Sequence, residues 1–276
     1  RCCPRGRAEM ERLSLHQLVA ITAQPEEMVE IAAKLDCPTV TLFAQHSKNS
    51  GAPYVESVER ARALKAKADD LGVGIYSLEV FGLGPDGITD DLRTGLEVGG
   101  TLGAKRLTVV IGDDDLSRAQ DTLAAFVPLA EAHGMSPHVE FHAFGKITTY
   151  SQLCEFLSGV DAATAISADV LHFYRNEGGI GSMSQPCAVP IGHAQLCDGP
   201  LERARDEWLF EAVNDRKIPG EGAFDLIGFL QALPRDVRID VEVPTEPARF
   251  PNGTHYERCE AVMSAARRIL NQAGVA

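Results

Sequence analysis

Four short segments in the second half of the chain carry side chains able to grip a cation. Glu140 stands in HVEFH, between Val139 and Phe141, and Asp169 stands in SADVLH, three residues before His172. Gln195 follows His193 by two residues in GHAQLCD, and Glu242 follows Asp240 by two in RIDVEV. A carboxylate set among apolar residues is costly to bury unless it meets a cation or hydrogen-bond donors. Three carboxylates and an amide oxygen suit one hard dication, Mn²⁺ or Mg²⁺, and an added imidazole would extend the range to Co²⁺ or Zn²⁺. Without its ion, such a site is expected to repel itself and loosen its surroundings.

The elements that must position these residues are parallel strands. Short β-branched runs alternate with longer helical stretches, the pattern of strands joined by crossover helices. Eight strand candidates cover 13–20, 39–44, 72–80, 106–112, 137–143, 165–170, 191–198 and 237–243. Helical stretches cover 25–36, 57–72, 90–104, 117–134, 149–160, 223–233 and 254–274, while only 179–188 is left for a short helix between the sixth and seventh strands. The fold class is therefore α/β, a single (β/α)8 barrel. An open doubly wound sheet is the alternative, but GLGPDG (82–87) lacks the spacing of a dinucleotide-binding turn. In such a barrel the reactive groups sit at the C-terminal ends of the strands, where Glu140, Asp169, Gln195 and Glu242 fall, one per strand.

Composition narrows the function. A chain of 276 residues fits one barrel, and a formal net charge of −13 argues against a nucleic-acid surface. No apolar run is long enough to span a membrane. Seven cysteines, an odd number with no CxxC pair, point to reduced thiols in a cytoplasmic protein rather than to a disulfide framework. Cys197 reads as a small buried strand residue. Residues 1–9 have no apolar segment and read as an extension, with the barrel expected over 10–276.

The ordered set HVEFHAF, SADVLHFYR, IGHAQLCDGP, RKIPGEGAFDLIGFLQALP and RIDVEVP, preceded by GAKRLTVVIGD, resembles the sugar phosphate isomerase/epimerase group of xylose-isomerase-like barrels over roughly residues 12–272. That resemblance implies metal ligands at Glu140, Asp169 and Glu242. Where many members have His, this chain has Gln195, as in the branch resembling 3-dehydroshikimate dehydratases. His193 is a reserve ligand, expected instead to pack lower in the barrel or to bond Asp240. The resemblance further implies Glu140 and Glu242 as an acid/base pair, with His172 orienting or protonating a substrate oxygen.

Pocket positions expected to meet substrate are His16, Glu79, His142, His193 and Arg205. Arg203, Arg205 and Arg216 stand in a charged stretch after the seventh strand, where solvated charges are expected, and Glu221 in PGEG reads as structural. The implied reaction is proton abstraction beside the carbonyl of a keto-sugar, polyol-like ketone or cyclic keto-acid, through an enediolate. Returning the proton gives an isomerase or epimerase; expelling a β-hydroxyl gives a dehydratase or lyase. Relatives of this kind are often homo-oligomers.

Overall fold

The structure, a computed structural model, describes residues 12–47, 49–245 and 253–275. Residues 1–9, expected to form an extension, lie outside them. Eight parallel strands close in chain order into one barrel. They are β1 (Leu13–His16), β2 (Thr39–Phe43), β3 (Gly74–Leu83), β4 (Arg106–Ile111), β5 (Ser136–Glu140), β6 (Ala165–Asp169), β7 (Ile191–Leu196) and β8 (Arg238–Val241). Pairing of β1 with β8, Ser14 against Asp240, seals the cylinder.

Helices α1 (Pro25–Lys34), α2 (Val58–Asp70), α3 (Asp90–Leu102), α4 (Leu116–Ala132) and α5 (Tyr150–Ser158) follow the first five strands. Then come α6 (Val170–Asn176), α7 (Trp208–Asn214), α8 (Leu226–Ala232) and α9 (His255–Ala273). Side chains of Ser57, Thr89, Asp115 and Thr149 accept the first free N–H groups of α2 to α5, so helix starts are fixed locally by capping. Two helices depart from expectation. β6 stops at Asp169, whose carboxylate accepts Leu171 N–H at 2.9 Å and starts α6 at once. The stretch expected to be a charged loop contains α7.

Contacts across the lumen show that the barrel interior is polar. Thr41 donates to Asp240 at 2.7 Å, Arg106 reaches the same carboxylate at 3.0 Å, and His193 Nε2 lies 2.9 Å from it. One step nearer the mouth, His16 Nε2 is 2.9 Å from Glu79, and Thr108 donates to Glu79 at 3.0 Å. Barrel interiors are usually packed with branched apolar side chains. Here those residues, among them Leu15, Val40, Val139 and Ile239, join the buried apolar core, and hydrogen bonds fill the inside. Such a plug tolerates few changes, because a buried charge that loses its partner is left uncompensated.

Cys154 on α5 and Cys187 before β7 form a disulfide, with Cα atoms 5.5 Å apart. This corrects the expectation of reduced thiols for that pair: the chain leading into β7 runs across α5, and the 33-residue separation hid the proximity. Cys37, Cys197 and Cys259 are free and buried. Among the described residues, no helix is long and apolar enough to cross a membrane.

Candidate metal centre

At the C-terminal end of the barrel, Glu79, Glu140 and Glu242 line a cavity of about 490 Å³ together with His142, His172 and Arg216. The rest of the wall is mixed: Leu18, Phe43, Val80, Phe144, Leu209 and Val213 are apolar, and Gln45, His46, Ser47, Asn49 and Ser50 are polar. Of the four expected ligands, Glu140 and Glu242 line the cavity, whereas Asp169 and Gln195 do not and are joined to them through neighbouring side chains. Glu140 is 2.9 Å from His142 Nε2. His172 Nε2 stands between Glu140 and Asp169, at 3.8 and 3.7 Å. Arg216 donates to Asp169 at 2.7 Å and to Glu242 at 2.8 Å. Gln195 Nε2 donates to Glu79 at 2.9 Å and also bonds Glu242.

Arg216 corrects the expectation of a solvated loop charge. It is 3% exposed, and its Nε donates to Ala212 O at 2.9 Å. It also modifies the expectation that the site without an ion repels itself, because the guanidinium already neutralises part of it. Sequence gave no signal for this: the partners lie 47 and 26 residues away.

The remaining positions divide. His142 and His172 line the cavity. His16 and His193 are fully buried beneath it, bonded to Glu79 and Asp240 respectively. Arg205 is not among the residues lining the cavity; its guanidinium lies 5.7 Å from the Trp208 ring centroid. Arg203 pairs with Asp215 at 2.8 Å. Cys197 is wholly buried, and burial pushes its thiol well up, which leaves it inert. Glu221 lies in a turn that Asp198 organises by accepting N–H groups of Gly199, Gly220 and Phe224. A Cβ on Gly222 would overlap the Asp198 carboxylate, so the turn needs glycine there.

Electrostatics separate two candidate groups. Glu140, His142 and His172 bring ligand atoms within 4.8 Å of one another, and so do His16, Glu79 and Asp240. The lower group is already balanced. Burial disfavours its charges, but Glu79 and Glu242 outweigh that for His16 and raise it to about 9. His16 likewise draws Glu79 down, while His193 and Arg106 hold Asp240 well below the carboxylate range. His193 itself is lowered to about 4 by burial and Arg106 and stays neutral.

The upper group, together with Glu242, is not balanced. Burial raises Glu242 far above its ordinary value despite Arg216 and His16, and the charges of Glu79 and Asp169 add to the rise. Burial raises Glu140 as well, with Glu79 and Asp169 reinforcing it against the pull of His142. His142 is raised because Glu140 outweighs the cost of its burial, and burial drives His172 well down, keeping it neutral. Carboxylates that resist ionising beside resident cations mark a place short of positive charge. Oxygen donors with neutral imidazole beside them fit a divalent metal there.

The sequence matches the family of the xylose isomerase-like TIM barrel over residues 29–262. No curated protein matches it. Among solved structures, the chain is similar to the IolI protein with a bound zinc atom, with TM-score 0.75, 17% identity, and 95% and 98% of the two chains covered. It is also similar to L-ribulose 3-epimerase, at TM-score 0.68 and 15% identity over 95% of each chain. A third similarity is to a fusion of a xylose isomerase-like TIM barrel with 4-hydroxyphenylpyruvate dioxygenase, at TM-score 0.73 and 20% identity, covering 95% of this chain and 43% of the fusion. On the match to most of its length, the chain belongs to the xylose isomerase-like TIM barrel family.

Proposed function

We propose that this protein is a metal-dependent enzyme that enolises a small hydroxy-ketone, an isomerase or epimerase of a sugar or polyol-like substrate. The observation that carries the reading is the cluster of buried carboxylates at the barrel mouth, short of positive charge and open to the cavity. Glu140, Asp169, Gln195 and Glu242 would hold one divalent ion, Mn²⁺ or Mg²⁺. His142 and His172, beside Glu140, extend the range to Co²⁺ or Zn²⁺. Gln195 now turns its amide nitrogen to Glu79 and Glu242, so offering its oxygen requires a rotation of that amide. When bound, the ion supplies Lewis acidity to a substrate carbonyl.

The residues of the chain do the rest. Glu140 and Glu242 line the cavity and act as base and acid. His142 holds the Glu140 carboxylate in place at 2.9 Å. His172, neutral in the cavity wall, orients a substrate oxygen. Among the described residues lining the cavity, Arg216 is the one Lys or Arg side chain, and two carboxylates already engage it. That favours an unphosphorylated substrate.

Water elimination from the same enolate is the second reading. Gln195 supports it, since the branch resembling 3-dehydroshikimate dehydratases carries Gln there. Incubation with Mn²⁺ and a panel of ketoses and cyclic hydroxy-ketones in D₂O separates the two. Exchange of the α-proton without new ultraviolet absorbance supports isomerisation, and growth of enone absorbance supports elimination. Absence of both exchange and Mn²⁺ uptake overturns the proposal.

A further inference from the structure

Every nitrogen of the Arg216 guanidinium is committed. Nη1 goes to Asp169 at 2.7 Å, Nη2 to Glu242 at 2.8 Å and Nε to Ala212 O at 2.9 Å. The two carboxylates are half of the donor set assigned above to the metal. Arg216 takes one oxygen from each instead of forking onto a single carboxylate, so it sits as a bridge where a cation is called for. A guanidinium and a dication seek the same lone pairs and repel one another.

We propose that Arg216 is the resident counter-cation of the ion-free site, and that a divalent ion binds only as Arg216 gives up at least one of these carboxylates. The proposal rests on the metal reading above. In this role the arginine lets the barrel mouth fold without its ion and weakens ion binding by competing for Asp169 and Glu242. The bond to Ala212 anchors the guanidinium to α7, which also sends Leu209, Ala212 and Val213 to the cavity. Release of the carboxylates therefore changes the load on the helix that forms one side of the rim. A purely orienting arginine makes the opposite forecast, since removing an outer partner of metal ligands loosens the metal.

The test is titration of wild type and Arg216→Met with Mn²⁺ alone, by calorimetry, with thermal melts in chelator. The proposal expects the variant to bind Mn²⁺ about tenfold tighter or more, because a like charge beside the ion is gone, and its ion-free form to melt lower. Equal or weaker binding by the variant overturns it. Should the variant fail to fold, wild type treated with phenylglyoxal decides, with modification of Arg216 mapped by mass spectrometry. Several-fold faster modification with Mn²⁺ present is expected, and an unchanged or slower rate overturns the proposal. Mn²⁺ uptake by wild type with weaker uptake by the variant removes only the role of Arg216. No uptake by either protein removes the metal reading itself.

Discussion

Glu79 accepts the Gln195 amide nitrogen at 2.9 Å across the barrel, from β3 to β7. Glu79 is itself held by His16 at 2.9 Å and Thr108 at 3.0 Å, so it cannot swing away. Glu79 thereby holds the amide in the orientation that must be given up when its oxygen turns to an ion. Glu79→Gln also removes a carboxylate charge beside the site, and loss of that attraction is expected to weaken Mn²⁺ binding by about tenfold. Titration with Mn²⁺, followed by calorimetry, reads the effect. An unchanged affinity would show that the Glu79 charge does not act on the ion.

The His16–Glu79 pair gives stability a defined pH dependence. The folded imidazole is raised from 6.5 to about 9. A raised histidine stabilises fully below its unfolded value and loses that contribution as pH climbs through the folded value. Stability should therefore fall between pH 6.5 and about 9. Charging the ring also costs the bond in which Nδ1 accepts Leu18 N–H at 3.0 Å, which limits how far stability falls. Urea unfolding of wild type and His16→Gln at several pH values checks this. The variant should be less stable at pH 6.5 and should lack the downward slope.

The barrel was legible from the sequence because β-branched runs, capping residues and acidic strand ends are local signals. Ser57, Thr89, Asp115 and Thr149 cap the helices that periodicity places after them. What local signals do not carry is long-range pairing. Arg216 looked solvated because its two carboxylates arrive from β6 and the end of β8. Helix α6 was hidden because Asp169 both ends a strand and caps the helix, leaving no loop between them. Cys154 and Cys187 carry no spacing motif, and only the path of the chain across α5 joins them. The polar plug was half visible, since His193 was expected to pack low in the barrel or to bond Asp240, while the roles of Arg106 and Thr41 appear only in three dimensions.

Arg106 and Asp240 test that plug. Their ion pair is 3.0 Å long, and both are at most 1% exposed. Arg106→Met leaves Asp240 ionised with Thr41 and His193 but no cation at that distance. Removing one partner of a buried pair costs about 3–5 kcal/mol, and replacing both is often near neutral. Arg106→Met should therefore lower unfolding free energy by about that much, and adding Asp240→Asn should restore most of it. Denaturant titrations of the single and double variants measure the coupling. Simple additivity of the two losses would mean that the pair contributes nothing as a pair.

Glu242 sets function against stability. Burial and the neighbouring carboxylates raise its proton affinity far above the ordinary 4.5. A carboxyl raised on folding stabilises while protonated and loses that stability as pH rises through the folded value. At neutral pH, where the carboxyl of the unfolded chain is ionised, burying Glu242 is thus a burden on the ion-free protein. Glu242→Gln removes the burden while keeping size and a hydrogen-bonding end. The ion-free variant should be more stable than wild type by roughly 1 kcal/mol near pH 7, with the advantage shrinking on acidification. On the proposed role, the same substitution takes away a proton-transfer group, and α-proton exchange should fall by about 100- to 10,000-fold. Melting in chelator and deuterium exchange by NMR read the two effects separately. A variant that is both less stable at neutral pH and fully active would show that Glu242 serves the fold rather than the reaction.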